Sequence, residues 1–125
     1  MSDLELIARA PACIAIGDVN HEALFPRVAI VVHHSGSGTT YAAARAGAPQ
    51  VLIPRFGNHP FWASRVRELG ISTAIPIAEL TADRLASALH DASDSSVRER
   101  ADSLADQIIV DGVKVAAEWL IGQHR

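Results

Sequence analysis

The strongest constraint on the fold lies in residues 28–47, Val-Ala-Ile-Val-Val-His-His-Ser-Gly-Ser-Gly-Thr-Thr-Tyr-Ala-Ala-Ala-Arg-Ala-Gly. The apolar run 28–32 leads into a short loop of His, Ser and Gly. An alanine-rich stretch then reads as a helix that opens at about Thr39 and stops at Gly47. A run with apolar side chains on both faces suits a parallel strand buried between helix layers. Ligands of open parallel sheets bind beyond the carboxyl ends of such strands, and the His-Ser-Gly loop stands at that end.

The loop has the chemistry of an anion site. Gly36 and Gly38 carry no Cβ, so a ligand can approach the backbone closely, and the first N–H groups of the following helix have no intrahelical acceptor. Phosphate oxygens are the natural partner. Thr39 and Thr40 add hydroxyl donors, and His33 or His34 adds an imidazole, although strand alternation sends these two histidines opposite ways. The competing interpretation is an ordinary strand-to-helix turn with structural histidines. Both the Gly-Lys-Ser/Thr of a P-loop and the dinucleotide pattern G-x-G-x-x-G are absent, so the local pattern leaves both interpretations open.

The flanking sequence repeats the strand–helix theme. Residues 12–16 form a first apolar run, read as a buried strand ended by Gly17-Asp18 and carrying Cys13 as a buried, inert thiol. Asn20 offers an N-cap for a short helical turn stopped by Pro26. After Gly47, Ala48-Pro49 turns the chain into a third apolar run, 51–53, closed by Pro54. Pro60 and Gly70 bracket a helix over 61–69, and residues 71–75 read as a fourth strand. Short helical crossovers between such strands predict right-handed β-α-β connections: an α/β, Rossmann-like parallel sheet flanked by helices.

The last third reads as helical. Thr81 caps a helix with Ala82, Leu85, Ala86 and Leu89 on one face, and Ser95 or Ser96 caps another aligning Val97, Ala101, Leu104, Ala105 and Ile108. In the final segment, 113–121, Val113, Ala116, Ala117, Leu120 and Ile121 form one stripe while Val115 and Trp119 lie off it. A broad buried stripe is the favoured reading. The alternative has Trp119 packing on something outside this chain.

Composition narrows the class. With 125 residues, 49% hydrophobic and 20% charged, residues 1–125 make one globular domain with enough apolar material for a core. A net charge of -3 without a polybasic patch argues against a nucleic-acid partner. One cysteine cannot form an internal disulfide and suits a reducing compartment. No apolar stretch reaches membrane-spanning length, and the acidic start Met-Ser-Asp-Leu-Glu is unlike a secretory signal, so a cytoplasmic location is expected. A sheet whose edge begins near Met1 is expected to be exposed unless something upstream covers it.

Four motifs then carry a family resemblance. They are Gly17-Asp-Val-Asn-His-Glu-Ala-Leu-Phe25, His33-His-Ser-Gly-Ser-Gly-Thr-Thr40, Arg45-Ala-Gly-Ala-Pro-Gln50 and Pro60-Phe-Trp-Ala63. In this order and spacing they closely resemble the C-terminal half of family 1 nucleotide-sugar glycosyltransferases, nearest the bacterial natural-product and sterol-type enzymes. The resemblance runs from about residue 12 to the end. It implies a GT-B architecture, two Rossmann-like domains facing across a cleft, with this chain as the donor-binding domain.

The pyrophosphate of a UDP- or TDP-sugar would then lie on the loop from His34 to Thr40. His34 and Thr39 match phosphate-contacting positions, Gly36 and Gly38 supply backbone room, and Ser37 and Thr40 complete the loop. Asn20 and His21 lie in the loop that borders the nucleoside in the family. Asn58 and His59 stand where the family has an Asp-Gln pair binding sugar hydroxyls. That pair is a departure, as is Ser35-Gly36-Ser37 in place of the bacterial Gly-Gly-Ala; exchanging a carboxylate for an amide leaves the choice of sugar open.

The resemblance also implies what is lacking. The histidine that deprotonates the acceptor belongs to the family's N-terminal domain, so this chain alone is expected not to catalyse transfer. It is expected to need the missing GT-B half, in cis or in trans. No cofactor or metal is expected, in keeping with the absence of Asp-x-Asp and of a His/Cys cluster at metal-ligand spacing. The alternative is a standalone nucleotide-binding or protein-interaction module, self-associating through its exposed edge and Trp119. The intact loop from His34 to Thr40 favours the glycosyltransferase reading.

Overall fold

The computed structural model describes residues 11–57, 59–108 and 112–123. Among them a three-stranded sheet runs in the order β1 (Val31–His33), β2 (Gln50–Leu52), β3 (Ser72–Ala74), with both pairings parallel. Parallel neighbours need a crossover, and helices supply it. After α1 (His21–Leu24) and a 3-10 turn over Phe25–Arg27, α2 (Ser37–Arg45) joins β1 to β2. α3 (His59–Glu68) joins β2 to β3, and α4 (Ala82–Ala92), α5 (Ser95–Gln107) and α6 (Gly112–Gln123) follow. The α/β parallel architecture expected from the strand–helix alternation is present.

The two-residue period of a strand divides the core between two layers. Leu52 points to one face, where it packs with Ala44 of α2, Ala63 and Val66 of α3, Ala101 of α5, and Ile71. Val51 points to the other, against Ala88 and Ala92 of α4 and Ile75. Alanine at these contacts lets the helix backbones lie close to the sheet. A third cluster, Phe25, Val31, Ala43 and Ala48, ties the turn after α1 to α2.

Two glycines let α5 lock this arrangement. Gly47 and Gly70 end α2 and α3 in left-handed conformations, with φ of 71° and 74°, where a Cβ is costly. α5 lies over both turns. Arg100 Nε donates to Gly70 O at 2.8 Å, and a Cβ on Gly47 would fall 2.8 Å from Asp102 Oδ1.

Several expectations need correction. Residues 12–16 form no strand, and Cys13 is exposed rather than buried. Ile14 and Ile16 stand 85% and 59% exposed, because among the described residues no strand pairs with this run. The central strand begins at Val31, not Val28, and is apolar-buried on one face only. Val32 is 44% exposed, while α4 packs chiefly on β2 and β3. Val28 and Ile30 still pack against the core from outside the strand.

In α4 the core-facing stripe is buried Ala88 and Ala92 with half-buried Leu85 and Leu89, while Ala82 and Ala86 are exposed. α5 is capped by Asp94, whose carboxylate accepts from Ser96 N–H at 2.8 Å and Ser96 Oγ at 2.7 Å. Those hydrogen bonds from Ser96 hold its pKa below the usual carboxylate range. In α6, Ala116, Ala117, Leu120 and Ile121 are all exposed, as is Trp119. Among the described side chains the broad buried stripe expected there is absent; those of Val113 and Val115 lie outside the described residues.

Candidate functional site

The carboxyl ends of β1 and β2 build one edge of the domain. His33 O accepts from Ile53 N–H at 2.7 Å, which sets the two following loops side by side. α2 opens two residues earlier than its sequence suggested, at Ser37, with Gly36 as N-cap. Gly36 has φ -64° and ψ 144° and no side-chain cap. A helix that starts without a side-chain acceptor presents its first N–H groups at the positive end of its dipole, to solvent or to an anion.

The residues of this loop divide by role. Ser37 and Gly38 are exposed and Thr39 half-buried, all in the first turn. A Cβ built on Gly38 meets nothing within 4 Å, so its backbone is open to close approach. The exposed His34 places its ring against Gly36, where a Cβ would come 2.7 Å from His34 Cε1. Gly36 thus gives room to a side chain of this chain, and Gly38 to whatever lies outside it. Thr40 is buried, and it donates both its hydroxyl, at 2.7 Å, and its N–H, at 2.9 Å, to Gly36 O. Its role in the loop is to hold the first turn.

His33 turns inward, as the alternation predicted. Its Nδ1 accepts the Ser35 N–H at 3.1 Å and its Nε2 lies 2.6 Å from Gln50 Oε1. Gln50 Nε2 in turn donates to Thr40 O at 3.4 Å. Gln50 is fully buried; it closes the motif Arg45–Gln50, which by itself assigned it no role. The available signal was an amide side chain opening the strand Gln-Val-Leu, where burial demands hydrogen-bond partners. Ser35, between the histidines and α2, is fully buried at φ 76°, and its Oγ has no partner among the described residues.

The remaining candidates make local contacts within their own segment or lie outside the described residues. Asn20 Oδ1 accepts from Glu22 N–H at 2.9 Å and Ala23 N–H at 3.3 Å, making it the N-cap of α1. His21 stacks on Phe25 with ring centroids 4.5 Å apart. Asn58 lies outside the described residues, as does the side chain of His59, the first residue of α3. The loop from β2 to α3 carries Phe56, exposed like Phe61 in the first turn of α3. Among the described residues no three His, Cys, Asp or Glu side chains gather as a metal centre would require. No described helix is long and apolar enough to cross a membrane.

Comparison with known proteins covers the whole of this region. A family profile described as "Erythromycin biosynthesis protein CIII-like, C-terminal domain" matches residues 2–115. The chain is 47% identical over 120 residues to a vancomycin aglycone glucosyltransferase of Amycolatopsis orientalis, covering 96% of this chain and 30% of the relative. It is 44% identical over 103 residues to a sterol 3-beta-glucosyltransferase of Saccharomyces cerevisiae, covering 81% of this chain and 8% of that enzyme. The crystal structure of glycosyltransferase VinC in complex with dTDP superposes with a TM-score of 0.74 at 29% identity, over 82% of this chain and 27% of that one. The chain thus spans 30% or less of the length of these relatives.

Proposed function

Since this chain belongs to the erythromycin biosynthesis protein CIII-like C-terminal domain family of glycosyltransferases, we propose that it is the donor-binding half of an inverting glycosyltransferase. The donor is a UDP- or TDP-sugar, and the acceptor a hydroxyl of a lipid, sterol or natural product. The observation that carries this reading is the opening of α2: an uncapped helix N-terminus at Gly36, open backbone at Gly38, and an exposed imidazole at His34. The dTDP complex of VinC supports the diphosphate class of ligand.

In such a transfer the acceptor oxygen attacks the anomeric carbon and the bond from that carbon to the β-phosphate oxygen breaks. Negative charge then grows on the nucleoside diphosphate. The first-turn N–H groups of α2, the Thr39 hydroxyl and His34 stabilise that charge, and the preorganised helix end needs no reorganisation to do so. Binding and leaving-group stabilisation are what this chain contributes. The base that takes the acceptor proton belongs to a partner half, in cis or in trans, so the isolated chain is inactive. Asn20 and His21 border the nucleoside, Asn58 and His59 the sugar, and the protein works in the cytoplasm without a metal.

A second reading, a standalone nucleotide-binding or interaction module, is favoured by the exposed apolar residues Ile14, Ile16, Trp119, Leu120 and Ile121. Calorimetric titration with UDP, TDP and their glucose conjugates, without added metal, separates the two. Binding that His34→Ala weakens by roughly 10- to 150-fold, on the order of 1.5–3 kcal/mol for a charge-assisted hydrogen bond, is the expected result. Unchanged affinity would remove His34 from the site. Absence of binding by the folded chain would favour the interaction module.

A further inference from the structure

We infer that His33 and Gln50 are positioning residues for the anion loop. Gln50 holds His33 as a neutral imidazole protonated on Nε2, and His33 in turn holds the Ser35 amide and fixes the turn that presents α2. The inference rests on the donor-binding reading of that loop. It concerns residues that need not touch the donor at all.

Hydrogen-bond polarity determines every atom of this relay. The Ser35 backbone nitrogen can only donate, so His33 Nδ1, 3.1 Å away, must carry a lone pair. The ring proton therefore sits on Nε2, and the Gln50 oxygen 2.6 Å from it is the acceptor. With its oxygen directed to His33, Gln50 points its NH2 at Thr40 O, a carbonyl 3.4 Å away that can only accept. Flipping the amide would set donor against donor at His33 and acceptor against acceptor at Thr40. Only one arrangement satisfies all three contacts.

Its structural consequence falls on the turn. Ser35 occupies the left-handed region at φ 76°, which a residue with a Cβ adopts at a cost, and its hydroxyl finds no partner to offset burial. The Ser35 amide bonded to His33 is what holds this conformation. Register places His33 and Gln50 on the same sheet face, the face that α2 covers. One relay thus connects β1, β2, the turn and the first turn of α2, where Thr40 O lies four residues after the Gly36 cap. A buried glutamine opening a strand otherwise made of Val51 and Leu52 is explained by this role.

The test uses the 15N-labelled 125-residue chain. Long-range 1H–15N spectra at neutral pH are expected to show His33 protonated on Nε2 alone. A ring protonated on Nδ1, or on both nitrogens, overturns the inference. Gln50→Leu is expected to move the Ser35 amide resonance and raise the Kd for UDP or TDP at least tenfold in a folded chain. Gln50→Glu keeps the volume but cannot donate to Thr40 O and favours an imidazolium whose Nδ1–H opposes the Ser35 N–H. It is expected to bind as poorly as Gln50→Leu and to show a doubly protonated His33, whereas a space-filling role would leave its affinity unchanged.

Wild-type affinity in either folded variant overturns the inference. Should the wild-type chain bind neither nucleotide, the donor-binding reading fails and the positioning role fails with it, while the His33 spectrum still decides the relay. Should both variants fail to fold, the wild-type spectrum decides alone.

Discussion

Gly38→Ala tests the donor site with two effects of opposite sign. Gly38 is the second residue of α2, its backbone lies outside the left-handed region, and a Cβ there meets nothing within 4 Å. In the free chain the substitution is therefore unopposed. Alanine exceeds glycine in a helix by about 1 kcal/mol in the interior, less in a first turn, and it also reduces the freedom of the unfolded chain. A gain of about 0.5–1 kcal/mol is expected, a rise in Tm of roughly 2–6 °C for a domain of this size.

With a diphosphate on the helix end the same methyl enters space that the ligand needs. Overpacking of that kind costs about 1–3 kcal/mol, so affinity should fall by roughly 5- to 150-fold. Thermal melts of the free protein and calorimetric titration with UDP and TDP measure both effects on one sample. A variant that melts higher yet binds both nucleotides with wild-type affinity would refute the placement of the phosphates over Gly38. Gly36→Ala is a blunter probe, because its Cβ would sit 2.7 Å from His34 Cε1 and displace the ring whether or not a ligand binds there.

Two further substitutions probe the backbone around the site. Ser35→Gly relieves a buried residue at φ 76° and removes an unpartnered hydroxyl. After the entropy cost of glycine, a gain of about 1 kcal/mol is expected in urea denaturation, and a loss of that size would contradict the strain argument. Gly47→Ala, at φ 71° and with Asp102 Oδ1 2.8 Å from the new Cβ, should cost about 1–3 kcal/mol. Because Asp102 is an exposed side chain, paired with Arg98 at 3.6 Å, that can swing aside, much of that cost should persist when Asp102→Ala is added. Its complete disappearance would assign the effect to the clash and not to the backbone.

The legible part of the fold was the part with strong local signals. Three of the four expected strands appear, each three residues long and each within or overlapping its apolar run, although only β2 is buried along its whole length. Asn20 and Thr81 cap helices as read, because a cap is a contact within three residues. Asp94 was missed in favour of its serine neighbours, a competition among adjacent acceptors that only backbone geometry resolves.

The misplaced elements all depend on what lies opposite. Residues 12–16 have the composition of a strand, but a strand exists only with a partner, and among the described residues none pairs with it. Val32 has the character of a core residue, yet it is left 44% exposed. The stripe on α6 has helical spacing, yet Leu120 and Ile121 are 52% and 57% exposed. Periodicity shows which side chains share a face. It does not show whether anything covers that face.

The candidate site divides along the same line. The sequence by itself determined the joint of strand, glycine-rich loop and alanine helix, and with it the chemistry available to a ligand: unpaired amides, hydroxyls and an imidazole at the end of a parallel strand. Those properties follow from residue type and short-range spacing. Tertiary structure decided the distribution of roles: His34 outward over Gly36, His33 inward to Gln50, Thr40 bound to Gly36 O, Ser35 buried at positive φ. His33 and Gln50 are 17 residues apart in sequence, and only the parallel register of β1 on β2 brings a ring nitrogen and an amide oxygen within hydrogen-bond distance, where polarity leaves one tautomer.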